Sequence, residues 1–302
     1  MTTGLMTAGA GVALTVAANE THAPTASPSP TRLDMQTIKT NDGTRLYIKE
    51  WGNGAPVVFV HSWALNSDMW QYQTAEFAEH GLRCITYDRR GHGHSDQPSS
   101  GYDTDTLADD LAMVMNSLDV SNATLVGHSM GCGEIVRYLS RHGARRVARI
   151  VLLAPTTPFL KQTPDNPEGI PAAAFEAVRA TWSADFPKWV EDNTPPFFTK
   201  ETSSAMQQWG TSMLLATSLP IAIACNRSMV DTDFRADLRD VVTPTLLIHG
   251  DADASAPLPL TGARTAKLIP KCTFKIYEGA PHGLFLTHKQ RLNADILEFI
   301  GA

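Results

Sequence analysis

These 302 residues contain no Cys-x-x-Cys pair, no run of lysine or arginine, and no internal repeat at a period of 20–50 residues. Each absence removes a class. The four cysteines (Cys84, Cys132, Cys225 and Cys272) are scattered without metal-ligand spacing. That argues against a structural zinc site and against a disulfide-rich scaffold. They read as small buried hydrophobes, with an isolated disulfide open if the protein is exported. The basic residues reach only isolated pairs, Arg89-Arg90 and Arg145-Arg146, in a chain of net charge -6. Neither nucleic acid nor an anionic membrane is an expected partner. Without a solenoid-type repeat, one large α/β domain with an insertion, or two small domains, remains. The 43% hydrophobic and 19% charged residues place the chain among ordinary globular proteins.

Long apolar runs are also missing. Residues 5–18 are uncharged and mildly apolar but too short and weak to span a bilayer. Small residues flank His22 in Thr21-His22-Ala23, and a Pro/Ser/Thr-rich stretch runs from Pro24 to Pro30. This is the layout of a secretory signal lacking its basic n-region, similar to the tail of a twin-arginine signal whose start codon was placed too late. The expectation is an exported protein, periplasmic or secreted. The alternative is a cytoplasmic protein with a disordered N-terminal arm. Residues 1–30 are set aside from fold reasoning on either reading.

What is present begins with a hairpin signal, two strand-like runs around Asn41-Asp42-Gly43. Pro56–His61 is a continuous apolar run of the kind buried on both faces of a parallel sheet. Predicted strands at Cys84–Asp88, Ala123–Val126, Ala148–Leu153, Thr245–Ile248 and Cys272–Tyr277 alternate with helices at Asp68–His80, Asp103–Leu118, Met130–His142, Leu260–Leu268 and His288–Ile300. That alternation predicts a parallel sheet with helices on both faces. From about Thr156 to Asp237 the rhythm breaks. Helix-like pieces at Ala172–Ser183 and Ser203–Met229 sit among many aromatics, as in an inserted helical cap. Most of these aromatics are expected to be core, and a minority to line an apolar pocket.

The strongest chemical signal is Gly127-His128-Ser129-Met130-Gly131, directly after a strand and directly before a helix. That is the context of a G-x-S-x-G nucleophile elbow. The tight turn tolerates almost no flanking side chain, and the helix N-terminus favours a developing anion. A serine hydroxyl needs a base and an orienting carboxylate, which follow in the chain order Ser, acid, His. His282, in Gly279-Ala280-Pro281-His282-Gly283, is the predicted base: of the ten histidines it alone occupies a short post-strand loop far down the chain. Asp251 and Asp253 compete for the third role. Two residues apart, they point in different directions from an extended backbone, and spacing does not choose between them. The oxyanion amides are expected from Met130 and from the loop Ser62-Trp63-Ala64, with Trp63 the donor there.

As a set, five stretches are specific. They are His61-Ser62-Trp63, the run from Tyr87 to Asp96 (Tyr-Asp-Arg-Arg-Gly-His-Gly-His-Ser-Asp), the elbow, Thr232-Asp233-Phe234-Arg235, and Ala280-Pro281-His282-Gly283. From about residue 35 to the C-terminus the chain resembles the bacterial arylesterase and cofactor-free haloperoxidase group of α/β-hydrolases. The resemblance implies a mostly parallel eight-stranded sheet flanked by helices, with residues 31–155 and 238–302 as the core domain and 156–237 as a helical cap after the sixth strand. Its pattern of Gly, two residues, Asp, three residues, Pro maps onto Gly250, Asp253 and Pro257, and so prefers Asp253. By position it also assigns Trp63 and Met130 to the oxyanion hole. One departure stands out: the family usually has His-Gly-Trp where this chain has His61-Ser62-Trp63. Glycine permits positive φ and close approach to substrate. Ser62 is expected to narrow the oxyanion hole, tilt the Trp63 amide, or add a hydroxyl donor.

The expected activity is hydrolysis of small to medium apolar or aryl esters through an acyl-enzyme, without cofactor or metal. The expected partner is a small-molecule ester, with no stable membrane insertion and a homo-oligomer open. A lactonase, lactam amidase, C–C hydrolase or perhydrolase would use the same triad. A non-catalytic binding protein on the same fold is a further alternative.

Overall fold

The structure is a computed structural model in which residues 36–302 are described. The N-terminal segment read above as signal-like lies outside the described residues. The hairpin forms as expected: β1 (Thr37–Lys39) and β2 (Arg45–Trp51) pair antiparallel across Asn41-Asp42-Gly43, and Gly43 takes φ 90. The remaining strands are β3 (Pro56–Val60), β4 (Arg83–Tyr87), β5 (Ala123–His128), β6 (Val147–Leu153), β7 (Thr245–Gly250) and β8 (Cys272–Tyr277). They form one eight-stranded sheet in the order β1-β2-β4-β3-β5-β6-β7-β8. β2 runs antiparallel to β4, and every later pair is parallel. Every residue of β5 and β7 is buried, as strands covered on both faces of a parallel sheet are, whereas β8 is partly exposed. This is the α/β-hydrolase fold expected from the sequence.

Helices cover both faces. One apolar core packs Val58, Val60, Ile85 and Leu125 of the sheet against α2 (Thr104–Ser117) and α3 (Met130–His142). The other packs Val57, Phe59, Val126 and Leu246 against α1 (Gln71–Glu79) and the C-terminal helix (Lys289–Ile300). Asp103 caps α2 by accepting from the Thr106 amide at 2.9 Å. Cys84, Cys132, Cys225 and Cys272 are all free thiols, and the first three are buried.

Between β6 and β7 run α4 (Ala172–Asn193), α5 (Ser204–Leu215), α6 (Leu219–Asp231) and the short α7 (Arg235–Arg239). Two details differ from the sequence reading. α4 continues past Ser183 through a break at Asp185 (φ -159, ψ 88), whose carboxylate accepts from the Lys188 amide at 2.9 Å and so restarts the helix around Pro187. The single piece predicted over Ser203–Met229 is two helices bent by 88° at Ala216-Thr217-Ser218, with Pro220 in the first turn of the second. Proline suits a helix start and not a helix interior, and the periodicity of the apolar residues does not register that break. No single helix among the described residues is long and apolar enough to cross a membrane.

Candidate active site

The tight turn after β5 places Ser129 at φ 55, ψ -116, a conformation that costs a non-glycine residue about 1–3 kcal/mol. Its neighbours have to be small. A Cβ on Gly131 would lie 2.5 Å from the Val60 carbonyl oxygen, and one on Gly127 would lie 2.8 Å from the Ile135 side chain. The turn is tied down by the Ser129 amide donating to Leu153 O on β6 at 2.9 Å.

Three residues far apart in sequence meet here. Ser129 Oγ donates to His282 Nε2 at 3.0 Å, and His282 Nδ1 donates to Asp253 Oδ2 at 2.7 Å. All three side chains are buried. Asp253 sits in the loop after β7 and His282 in the loop after β8, at the C-terminal strand ends where open α/β sheets place their sites. Asp253 Oδ1 also accepts from the Ser255 and Ala256 amides at 2.9 and 2.7 Å. Burial works against its charge. His282, His249 and the Ala256 amide outweigh that and hold the carboxyl well below the usual carboxylate range. Asp251, the competing carboxylate, faces away: it is exposed and accepts from the Gly279 amide at 2.7 Å, bracing the loop that carries His282.

Two further histidines support these groups. His249 Nε2 lies 2.8 Å from Ala256 O and 3.1 Å from Asp253 Oδ2, so a single N–H faces both. His128 Nε2 donates to the His282 carbonyl at 2.9 Å, and its ring lies 4.7 Å from that of His282. Burial, with His282 beside it, pushes His128 well below the ordinary imidazole value, so it stays neutral. Neither contact follows from sequence position alone.

The loop after β3 is shaped by a buried cation that the sequence reading did not single out. Arg89 Nε donates to Glu134 Oε1 at 2.6 Å, and its terminal nitrogens donate to the His61 and Ser62 carbonyls at 2.6 and 3.2 Å. His61 Nε2 accepts from the Arg89 amide at 2.9 Å. With those two carbonyls turned to the guanidinium, the loop leads into Trp63. Neither the Trp63 amide nor the Met130 amide donates a hydrogen bond within the described residues. Positive φ in this loop falls at Ala64 (φ 54), not at Ser62, so the serine meets no backbone strain. Arg89 and Glu134 had a signal available: Arg89 belongs to the 87–96 motif, and an apolar strand ending in paired arginines needs a buried counter-charge.

Above the serine lies a cavity of about 390 Å³ lined mainly by apolar and aromatic side chains, with Ser129, His282 and Ser62 on its wall. Trp63 stacks on Trp182 at 4.8 Å and donates its indole N–H to Ala222 O on α6 at 2.8 Å. Of the aromatics between β6 and β7, Phe175, Trp182, Trp189, Phe197 and Phe198 line the cavity, more than the minority expected, whereas Phe159, Phe186, Trp209 and Phe234 do not.

A family model described as the alpha/beta hydrolase fold matches residues 55–289. Non-heme chloroperoxidase CPO-A1 of Kitasatospora aureofaciens is 38% identical over 273 residues, spanning 88% of this chain and 99% of that protein. The bifunctional esterase/perhydrolase DCH of Acinetobacter calcoaceticus is 33% identical over 278 residues, spanning 88% of this chain and 99% of that protein. Among solved structures, an esterase from Exiguobacterium antarcticum superposes with a TM-score of 0.85 at 30% identity, covering 88% of this chain and 99% of that one.

Proposed function

The chain belongs to the α/β-hydrolase family, and from that premise we propose that it is a serine carboxylesterase acting on small to medium apolar or aryl esters. The hydrogen-bonded chain from Ser129 through His282 to Asp253, at 3.0 and 2.7 Å, carries this reading. His282 takes the Ser129 proton as the oxygen attacks the ester carbonyl. Asp253 holds the tautomer with Nδ1 protonated and stabilises the imidazolium that forms. The Trp63 and Met130 amides receive the oxyanion. His282 then protonates the leaving alcohol and afterwards takes a proton from the water that splits the acyl-enzyme. A serine in the elbow disfavours dehalogenase and epoxide-hydrolase chemistry, which would need a carboxylate at that position.

A second reading has support of its own in the names of two relatives, a non-heme chloroperoxidase and a bifunctional esterase/perhydrolase. On it the same acyl-enzyme is cleaved by hydrogen peroxide in place of water. A carboxylic acid and peroxide then yield a peracid and water, and the released peracid oxidises halide.

Initial rates on p-nitrophenyl esters from acetate to octanoate, for the wild type and Ser129→Ala, test the first reading. Turnover lost in the variant is expected. A wild type inactive across the series would refute it. Peroxide-dependent bromination in acetate buffer, measured on the same two proteins, tests the second.

A further inference from the structure

On the cavity wall Asn226 is a polar side chain whose amide donor has no partner among the described residues. Asn226 of α6 lies one helical turn, about 6 Å, beyond Ala222, the residue that receives the Trp63 indole. Asn226 lines the cavity and is 9% exposed. Behind it, on the neighbouring α4, Arg179 donates from NH1 to Asn226 Oδ1 at 2.7 Å.

That contact settles which way the amide points. A guanidinium only donates, so the atom facing it is the oxygen, and the NH2 group occupies the other branch. No side chain or carbonyl among the described residues accepts from Asn226 Nδ2. Arg179 also polarises the amide. It is 7% exposed, and its one carboxylate partner, Glu176 at 2.7 Å, is largely in solvent. A hydrogen bond accepted on the oxygen strengthens the donor at the other end of the same amide. Serving Arg179 requires only an acceptor, which the amide oxygen supplies. The oriented N–H2 group, without a protein acceptor in a mainly apolar cavity, is left over from that role and is free to donate to a bound molecule.

We propose that Asn226, oriented by Arg179, binds an oxygen acceptor that the substrate carries in addition to its scissile ester, and that the preferred substrates are oxygenated esters bearing a carbonyl or ether oxygen in an otherwise apolar chain. The proposal deepens the esterase reading and rests on it only for the reaction; the binding subsite stands on the cavity alone.

The test is therefore a binding measurement. Calorimetry on the Ser129→Ala protein compares methyl 4-oxopentanoate with methyl pentanoate, which differ by one carbonyl. With Asn226 present the oxo ester is expected to bind about five- to ten-fold tighter, the worth of one hydrogen bond. Asn226→Asp keeps the shape and the pairing with Arg179 but removes the donor, and is expected to abolish or reverse the preference. Asn226→Leu, which needs no ion pair to fold, is expected to abolish it as well. A preference that survives in both variants, or that is missing with Asn226 intact, overturns the proposal. Turnover of p-nitrophenyl esters by the wild type is measured in parallel. An inactive enzyme that still shows the Asn226-dependent preference would sink the esterase reading and leave the subsite standing.

Discussion

The floor of the cavity and its roof are built on opposite terms. The floor comes from strand ends: Ser129 after β5, Asp253 after β7 and His282 after β8, each braced by backbone or by a second side chain. The carboxylate of Asp253 alone accepts from two amides and two imidazoles. The roof comes from helices between β6 and β7; the floor's unpaired buried atoms around the triad are the acceptor nitrogens His128 Nδ1 and His249 Nδ1, whereas the roof's are donors. Trp182 Nε1 and Arg179 Nε are buried without partners among the described residues. A floor with every reacting group oriented in advance suits a fixed reaction, because preorganised groups need no rearrangement as charge develops. A roof with open donors suits selection among substrates. Trp63 joins the two, its backbone in the floor and its ring stacked on Trp182 with the indole bonded to α6.

Substitutions can break that contrast in graded steps. The largest effect is expected at Asp253→Asn, which leaves the shape intact but favours the wrong imidazole tautomer. By analogy with other triads kcat should fall about 10⁴-fold, with the thermal midpoint little changed. Stopped-flow or steady-state ester hydrolysis measures it, and a loss under ten-fold would remove Asp253 from the triad.

His249→Leu comes next. It deletes a hydrogen bond to a buried charge, worth about 1.5–3 kcal/mol, so kcat should drop roughly ten- to hundred-fold. KM should hold, because His249 does not line the cavity. A shifted acid limb in the pH profile would separate this positioning role from a purely structural one.

A stability effect follows from the buried imidazoles. Burial pushes His61 and His128 well below the ordinary 6.5 and His92 down to about 3. Below pH 6.5 the unfolded chain binds protons that the folded chain refuses. Stability is therefore full above 6.5 and declines as the pH falls toward the folded values, by about 1.4 kcal/mol per pH unit for each histidine. Urea midpoints at pH 7, 6 and 5 read that slope, and a flat profile would mean that these rings titrate normally.

Roof substitutions should alter preference and spare chemistry. Phe175 is partly exposed and lines the cavity, so Phe175→Ala is expected to raise kcat/KM for octanoate roughly three- to ten-fold relative to acetate. An unchanged chain-length profile would take Phe175 out of the acyl pocket.

The smallest effect is expected at Ser62→Gly. Since positive φ falls at Ala64, glycine gains no conformation that the serine lacks. It should cost about 0.4–1 kcal/mol of stability through the unfolded chain and change kcat by less than about three-fold. A larger kinetic change would assign the Ser62 hydroxyl a part in the reaction.

Legibility divides along the same line. The hairpin at Asn41-Asp42-Gly43, the buried strands and the elbow around Ser129 were readable because their determinants are local: turn residues, unbroken apolar runs, and glycines beside a serine. His282 was readable because proline and glycine mark its loop. Between Asp251 and Asp253 the local signal was equal, and only the resemblance preferred the second. In the helical segment, periodicity found helices but not their breaks, since Asp185 caps through a side chain and the 88° bend joins two segments that are each regular.

By itself, then, the sequence determined the alternation of strand and helix, the elbow, and the short list of groups able to act as nucleophile, base and acid. Those follow from backbone preference and from hydrophobic period, which act over a few residues. Only the tertiary structure decided which carboxylate faces His282, that His249 shares that carboxylate, that Arg89 holds the loop before Trp63, and that Asn226 turns its donor into the cavity. Each of those is a contact across 4 to 47 positions of chain, set by how the sheet and helices pack.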